Sequence, residues 1–292
     1  MEDKTSLSEI NSDFILKIKD VSKSYGLLSK NMAVDGISLS IQAGTCASLV
    51  GRNGAGKTTF LKVISDLINT FEGKIEKKGR IAYMPETNGI YPFNTSLEVL
   101  KFFLKFGNSP FTAGEILEKL NLSIDDKRPL NLYSKGMKRK VTFGSMMALY
   151  PDIFILDEPF EGLDPDTCRD IVEVIKGLKK IGRSFIISSH DLYYLKEVSD
   201  RVFVIDKGKI IRELDPEAES VCVINFTSEI ESVKLVLNKL KLDYKIDKFP
   251  LVEITYRQNL DIILADIIKE GLRFNESRSK DLFEYFREIL NE

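Results

Sequence analysis

Tryptophan is absent from the 292 residues, histidine occurs once and cysteine three times. The thiols Cys46, Cys168 and Cys222 are far apart and odd in number, which argues against a disulfide framework and against a zinc site. They suit a reducing compartment. No apolar run approaches the roughly 18–20 residues that span a bilayer. The opening stretch MEDKTSLSEINSD has neither the basic start nor the apolar core of a secretory leader. The expectation is a cytoplasmic chain whose role at a membrane, if it has one, runs through a partner. Excess charge of one sign is missing too: 42 Lys+Arg against 44 Asp+Glu leave a net charge of -2. That balance speaks against a dedicated nucleic-acid binder.

What is present is an ordinary globular composition, 43% hydrophobic and 29% charged, enough for one large domain and a small one. Apolar runs alternate with amphipathic stretches, the pattern of an α/β protein. Strands are expected at 15–19, 37–41, 47–50, 73–75, 81–84, 153–156 and 184–188, with a hairpin over 202–213 around Lys207-Gly208. Helices are expected at 57–65, 96–106, 112–120, 138–149, 166–180 and 191–198. The run at 153–156 is wholly apolar, as at the centre of a parallel sheet. A polar stretch at 215–219 divides the chain into residues 1–214, with a helical part at about 92–150, and residues 215–292. Beyond it the expected order is strand 221–226, helix 230–240, strands 244–247 and 251–256, helix 260–270, strand 272–275 and helix 282–290. Its βαββαβ core is the order of a small α+β, ferredoxin-like domain.

The string SLVGRNGAGKTTF contains Gly-x-x-x-x-Gly-Lys-Thr between a strand and a helix. Gly51, Gly54 and Gly56 permit a tight turn that points backbone N–H groups of Arg52, Asn53, Ala55 and their neighbours at phosphates. The helix N-terminus adds its positive dipole end. Lys57 reaches the β- and γ-phosphates, and the Thr58 hydroxyl ligates Mg²⁺. A second string, IFILDEPFEGLD, delivers Asp157 and Glu158 from the end of an apolar strand. Asp157 is the expected Mg²⁺ partner, direct or through water, and Glu158 is placed to polarise an attacking water. The one histidine, His190, follows another apolar strand, where a γ-phosphate contact and a plain surface position both remain open.

Taken together, GRNGAGKTT, YSKGMKRK, ILDEP, GLD and SSHD, in that order, resemble the ATP-binding subunit of an ATP-binding cassette (ABC) transporter over residues 14–214. The resemblance implies a P-loop NTPase cassette with a helical subdomain, ATP and Mg²⁺ as cofactors, and ATP hydrolysis. It makes Gly51 through Thr59 the Walker A motif, Asp157 the end of Walker B, Glu158 the catalytic glutamate and His190 the switch histidine. Asp164 falls in the D-loop that contacts an opposite subunit. Tyr25 is similar to the aromatic that stacks on adenine, although a strand-end tyrosine has the same appearance. The signature is altered from Leu-Ser-Gly-Gly-Gln to Tyr133-Ser134-Lys135-Gly136-Met137, keeping Ser134 and Gly136 for a γ-phosphate. That form resembles bacterial drug, lantibiotic and sodium exporters. Glu86 stands where the Q-loop glutamine is usual and can accept a Mg²⁺-bound water.

The resemblance further implies partners. One is a second ATP-binding subunit, identical or different, whose signature covers the ATP held by this Walker A. The other is a polytopic membrane permease, which would place the chain on the inner face of the cell membrane. The competing readings are a soluble ABC ATPase with a regulatory or ribosome-associated role and a nucleotide-gated regulator with vestigial hydrolysis. A single cassette without long coiled coils, and intact Lys57, Glu158 and His190, favour the transporter motor. Tyr91 and Phe93, in a loop rich in Gly, Asn and Pro, are expected to be exposed and to meet the permease. Phe102, Phe103 and Phe106 on the next helix fit either the core or the same surface.

Overall fold

The computed structural model describes residues 14–26, 31–87, 89, 91–190, 192–214, 220–256 and 260–280. The expected helix at 282–290 and the divide at 215–219 lie outside them, as do Asn88, Ile90 and Asp191.

A six-stranded sheet is ordered β5-β6-β7-β3-β8-β9. Its strands are β3 (Cys46–Val50), β5 (Ile81–Met84), β6 (Ile153–Asp157), β7 (Ser184–Ser189), β8 (Arg201–Asp206) and β9 (Lys209–Leu214). All neighbours are parallel except the β8–β9 hairpin. Every residue of β3, β6 and β7 is buried, because a parallel sheet is covered on both faces. Strand alternation sorts the side chains into two cores. Ile153, Ile155, Ile186, Phe203 and Ile205 point to one. Phe154, Leu156, Phe185, Ile187, Val202 and Val204 point to the other.

The first core is closed by α1 (Lys57–Ile64), through Phe60, Leu61 and Ile64, and by an antiparallel sheet ordered β2-β1-β4. That sheet joins β1 (Phe14–Tyr25), β2 (Asn31–Gln42) and β4 (Glu72–Lys77). The first two strands run well past the expected 15–19 and 37–41, since repeated register shifts in their pairing interrupt the period-two pattern that marks a strand.

The second core is closed by α4 (Lys135–Leu149), α5 (Pro165–Lys180) and α6 (Leu192–Val198). Two further helices, α2 (Ser96–Leu104) and α3 (Ala113–Lys119), pack on α4. Both open with capping boxes, Thr95 with Glu98 and Thr112 with Glu115, so the cap of α2 is Thr95, and Ser96 lies buried inside the helix. Helix α4 starts at Lys135 rather than the expected 138. The Ser134 hydroxyl accepts from Met137 N and caps it, which offsets the poor helix propensity of Gly136.

The remaining described residues form an antiparallel sheet ordered β11-β12-β10-β13. It comprises β10 (Ser220–Phe226), β11 (Asp243–Lys248), β12 (Leu251–Tyr256) and β13 (Phe274–Lys280). Helices α7 (Ile230–Lys239) and α8 (Leu260–Lys269) lie between them in sequence and share its core through Val233, Leu237, Ile263 and Ile267. The last strand begins two residues later than the expected 272: Leu272 is buried in this core ahead of the ladder.

Candidate active site

The phosphate loop leaves β3 at Val50 and enters α1 at Lys57. Gly54 and Gly56 have φ of 81° and 106°, a region costly for any residue with a Cβ. A cavity of about 330 Å³ opens over the loop, lined by Arg52 to Thr59, Ala33, Glu86, Glu158, Glu161 and His190. Lys57 is buried, and its ammonium donates to Gly51 O at 2.7 Å and Arg52 O at 3.3 Å. It also pairs with Glu158 Oε1 at 3.4 Å.

Asp157 ends β6 with its carboxylate enclosed. It accepts from Thr58 Oγ1 at 3.2 Å, Ser188 Oγ at 2.5 Å and Tyr83 OH at 2.9 Å. Burial and the Asp157 charge push the Tyr83 phenol pKa upward, so it remains a donor. Glu158 turns out of the strand with φ 46°, a backbone region that costs a non-glycine residue on the order of 1–3 kcal/mol. Its N–H is held by Ser188 O and Oγ, both at 3.1 Å. This turn aims the side chain at the cavity rather than along the sheet. There Glu158 Oε2 meets His190 Nδ1 at 2.9 Å and accepts from His190 N at 3.2 Å.

The structure therefore brings Lys57, Thr58, Asp157, Glu158 and His190 together. Glu86 lines the same cavity from the loop after β5. Its carboxyl turns to Glu161, and desolvation together with the Glu161 and Asp157 charges raises its pKa. Among the described residues no three His, Cys, Asp or Glu side chains cluster as a metal site. Tyr25, Ser134, Gly136 and Asp164 do not line the cavity. Tyr25 is half exposed and pairs with Asn31 on β2, the strand that also carries Ala33. Asp164 caps α5, accepting from Thr167 N at 2.9 Å and Thr167 Oγ1 at 2.8 Å. Gly136 packs against that cap, where an added Cβ would lie 2.8 Å from Thr167 Oγ1.

Residues 34–161 match the family described as ABC transporter. The chain is 35% identical over 201 residues to an uncharacterized ABC transporter ATP-binding protein of Methanocaldococcus jannaschii, covering 67% of this chain and 76% of that one. It belongs to the ATP-binding subunits of ABC transporters. It is also 32% identical over 214 residues to the linearmycin resistance ATP-binding protein LnrL of Bacillus subtilis, covering 68% of each. Among solved structures, a nucleotide-free ATP-binding cassette from an ABC transporter aligns with a TM-score of 0.60 at 26% identity, covering 69% of this chain and 91% of that one.

Like the family it belongs to, this ABC subunit binds ATP and hydrolyses it. Four residues in or behind the site, Tyr83, Arg139, Glu161 and Ser188, have no role that the motif strings assign, although Arg139, Glu161 and Ser188 fall within those strings. Arg139 left one trace. It falls on the buried stripe of α4 with Phe143 and Met146, where a cation demands an explanation. Burial lowers the Arg139 pKa to about 10, against the opposing charges of Asp157, Glu86, Glu161 and Glu158.

Proposed function

We propose that this ABC subunit is one half of an export motor, in which two ATP-binding subunits enclose two Mg²⁺–ATP and drive a separate polytopic membrane permease from the inner face of the cell membrane. In this reading residues 1–214 are the motor and 215–292 a separate small unit. One observation carries it. Lys57, Glu158 and His190 converge on one cavity, while Ser134 and Gly136 stand outside it, so the signature needs another chain's nucleotide. The direction of transport draws support from LnrL, whose name attributes resistance to linearmycin to that relative.

The oxygen donors at the lip of the loop fit Mg²⁺. The Thr58 hydroxyl and Asp157 carboxylate stand 3.2 Å apart, a hard-oxygen pair of the kind that takes this ion together with phosphates and water. Bound there, the ion would neutralise charge on the β- and γ-phosphates. Thr58 and Asp157 would hold it, with Glu86 reaching it through water. Lys57 binds phosphate oxygens, and the phosphate-loop amides from Gly51 to Thr59 cradle them. Glu158 orients a water and takes its proton, and His190 holds Glu158 in place and reaches the γ-phosphate. Tyr25 stacks on adenine, and Asp164 meets the opposite subunit.

Lys135 offers a test of the enclosed pair. It is exposed on the first turn of α4, its ammonium lying over Gly162 of the D-loop. Glutamate there favours the helix N-terminus yet repels a facing triphosphate. The Glu158→Gln chain is expected to dimerise with ATP and to stay monomeric when Lys135→Glu is added, as read by light scattering. A double variant that dimerises as readily counts against the arrangement.

The permease surface is testable on its own. Phe93 is 84% exposed and Tyr91 46%, as the loop composition leads one to expect. Phe102 and Phe106 join them at the surface, with Tyr91–Phe102 and Phe102–Phe106 ring centroids 5.9 Å and 5.1 Å apart. Phe103 instead packs on the core. An exposed aromatic cluster of this kind is a docking anchor. Tyr91→Ala with Phe93→Ala should leave folding and basal ATPase near normal and weaken co-purification with the permease. Unchanged co-purification would rule the surface out.

A further inference from the structure

Arg139 does not line the nucleotide cavity, yet its side chain is sealed behind it, 2% exposed. A guanidinium has five N–H donors in a rigid plane. Here all five are directed at backbone carbonyls. Nη1 donates to Pro85 O at 2.6 Å and Glu86 O at 2.9 Å. Nη2 donates to Asp157 O at 2.7 Å and Glu158 O at 2.8 Å, and Nε to Pro159 O at 3.2 Å. The first two carbonyls belong to the Q-loop after β5, the other three to the turn that carries the catalytic carboxylates. The β5–β6 ladder ends at Met84 and Leu156. Arg139 continues the connection past the point where the ladder stops.

Arg139 also sits one turn into α4, whose cap is Ser134 of the signature. Three parts of the machine thus meet at one side chain, and each is gripped by backbone, which cannot swing away as a side chain can. We propose that Arg139 is a positioning residue that locks the Q-loop backbone to the backbone of Asp157 and Glu158, so that a displacement of the Q-loop is transmitted to the catalytic carboxylate. The proposal rests on Glu158 acting as the base. A buried cation that served stability alone would need its donors satisfied, but not by two loops 72 residues apart in sequence (Pro85 to Asp157). Lysine cannot replace it, since an ammonium has three donors and no planar fork.

The test is Arg139→Lys and Arg139→Gln in the full chain. Each should lower kcat about 10²-fold, the cost of a misplacement near 1 Å, with KM and ATP affinity unchanged. Hydrogen exchange should speed up together in segments 85–87 and 157–160. Lys140→Met, which breaks the neighbouring half-buried Lys140–Asp170 ion pair, is the stability control: it should lower the unfolding temperature and spare kcat. Wild-type kcat in Arg139→Lys overturns the proposal, and so does an equal kcat loss in Lys140→Met at equal loss of stability. A third measurement needs no variant that folds and no turnover. In the wild-type chain the two segments should open as one unit, with the same urea dependence of exchange. Independent opening overturns the clamp, whereas a wild-type chain without ATPase activity overturns only the base on which it rests.

Discussion

Glu158→Gln is expected to retain ATP and to lose about 10²- to 10⁴-fold of its hydrolysis rate, the range for removal of a general base. The substitution is clean for a structural reason. Glu158 has φ 46°, and glutamine bears that left-handed backbone at the same cost as glutamate. The remaining amide oxygen still accepts from His190 N, where Oε2 accepts now at 3.2 Å. What is lost is the negative charge facing Lys57 at 3.4 Å and the capacity to take a proton. Steady-state ATPase and equilibrium ATP binding, measured together, check the expectation. Activity near wild type would remove Glu158 from the role of base. Glu158→Ala is the poorer test, because it also removes the oxygen that accepts from His190 N.

Gly56→Ala is expected to abolish ATP binding at concentrations that saturate the wild type. Gly56 has φ 106°, and an added Cβ would stand 2.1 Å from Ala33 O and 3.4 Å from Gly208 Cα. Gly208 is not free to yield: its N donates to Ala55 O at 2.9 Å, and its O accepts from Asp35 N at 2.9 Å, which ties it to β2, the strand that carries Ala33. The loop itself must therefore move, and its N–H groups leave the phosphates. Each hydrogen bond lost to a charged group costs roughly 1.5–3 kcal/mol, or about one to two powers of ten in affinity. Gly54→Ala supplies the contrast. Gly54 has φ 81°, but nothing lies within 4 Å of an added Cβ. It should show only the strain of roughly 1–2 kcal/mol and keep measurable binding. Titration calorimetry with ATP separates the two; equal affinities in both variants would mean that crowding at Ala33 does not govern the loop.

That Lys57, Thr58, Asp157, Glu158 and His190 stand together follows from signals that are local in the sequence. A phosphate loop is a contiguous string between a strand and a helix, and the wholly apolar 153–156 announces a buried strand that must deliver Asp157 at its end. Apolar period places a helix to within a few residues, and its start shifts where a cap overrides propensity, as Ser134 does for Lys135 and Gly136. What only the tertiary structure decided involves partners remote in sequence. The Tyr83 hydroxyl reaches Asp157 because β5 and β6 are neighbours in the sheet, although the two residues are 74 apart in the chain. Glu158 points into the cavity because Ser188, from β7, holds its N–H in a left-handed turn. Gly136 must be glycine partly because the cap of α5 presses on it. Arg139 finds five carbonyls only when two loops and a helix converge. Periodicity and motif strings record which face of an element is buried and which residues the chemistry needs. They hold no record of which backbone groups the fold brings within 3 Å of a donor, because that distance is set by the packing of elements on one another.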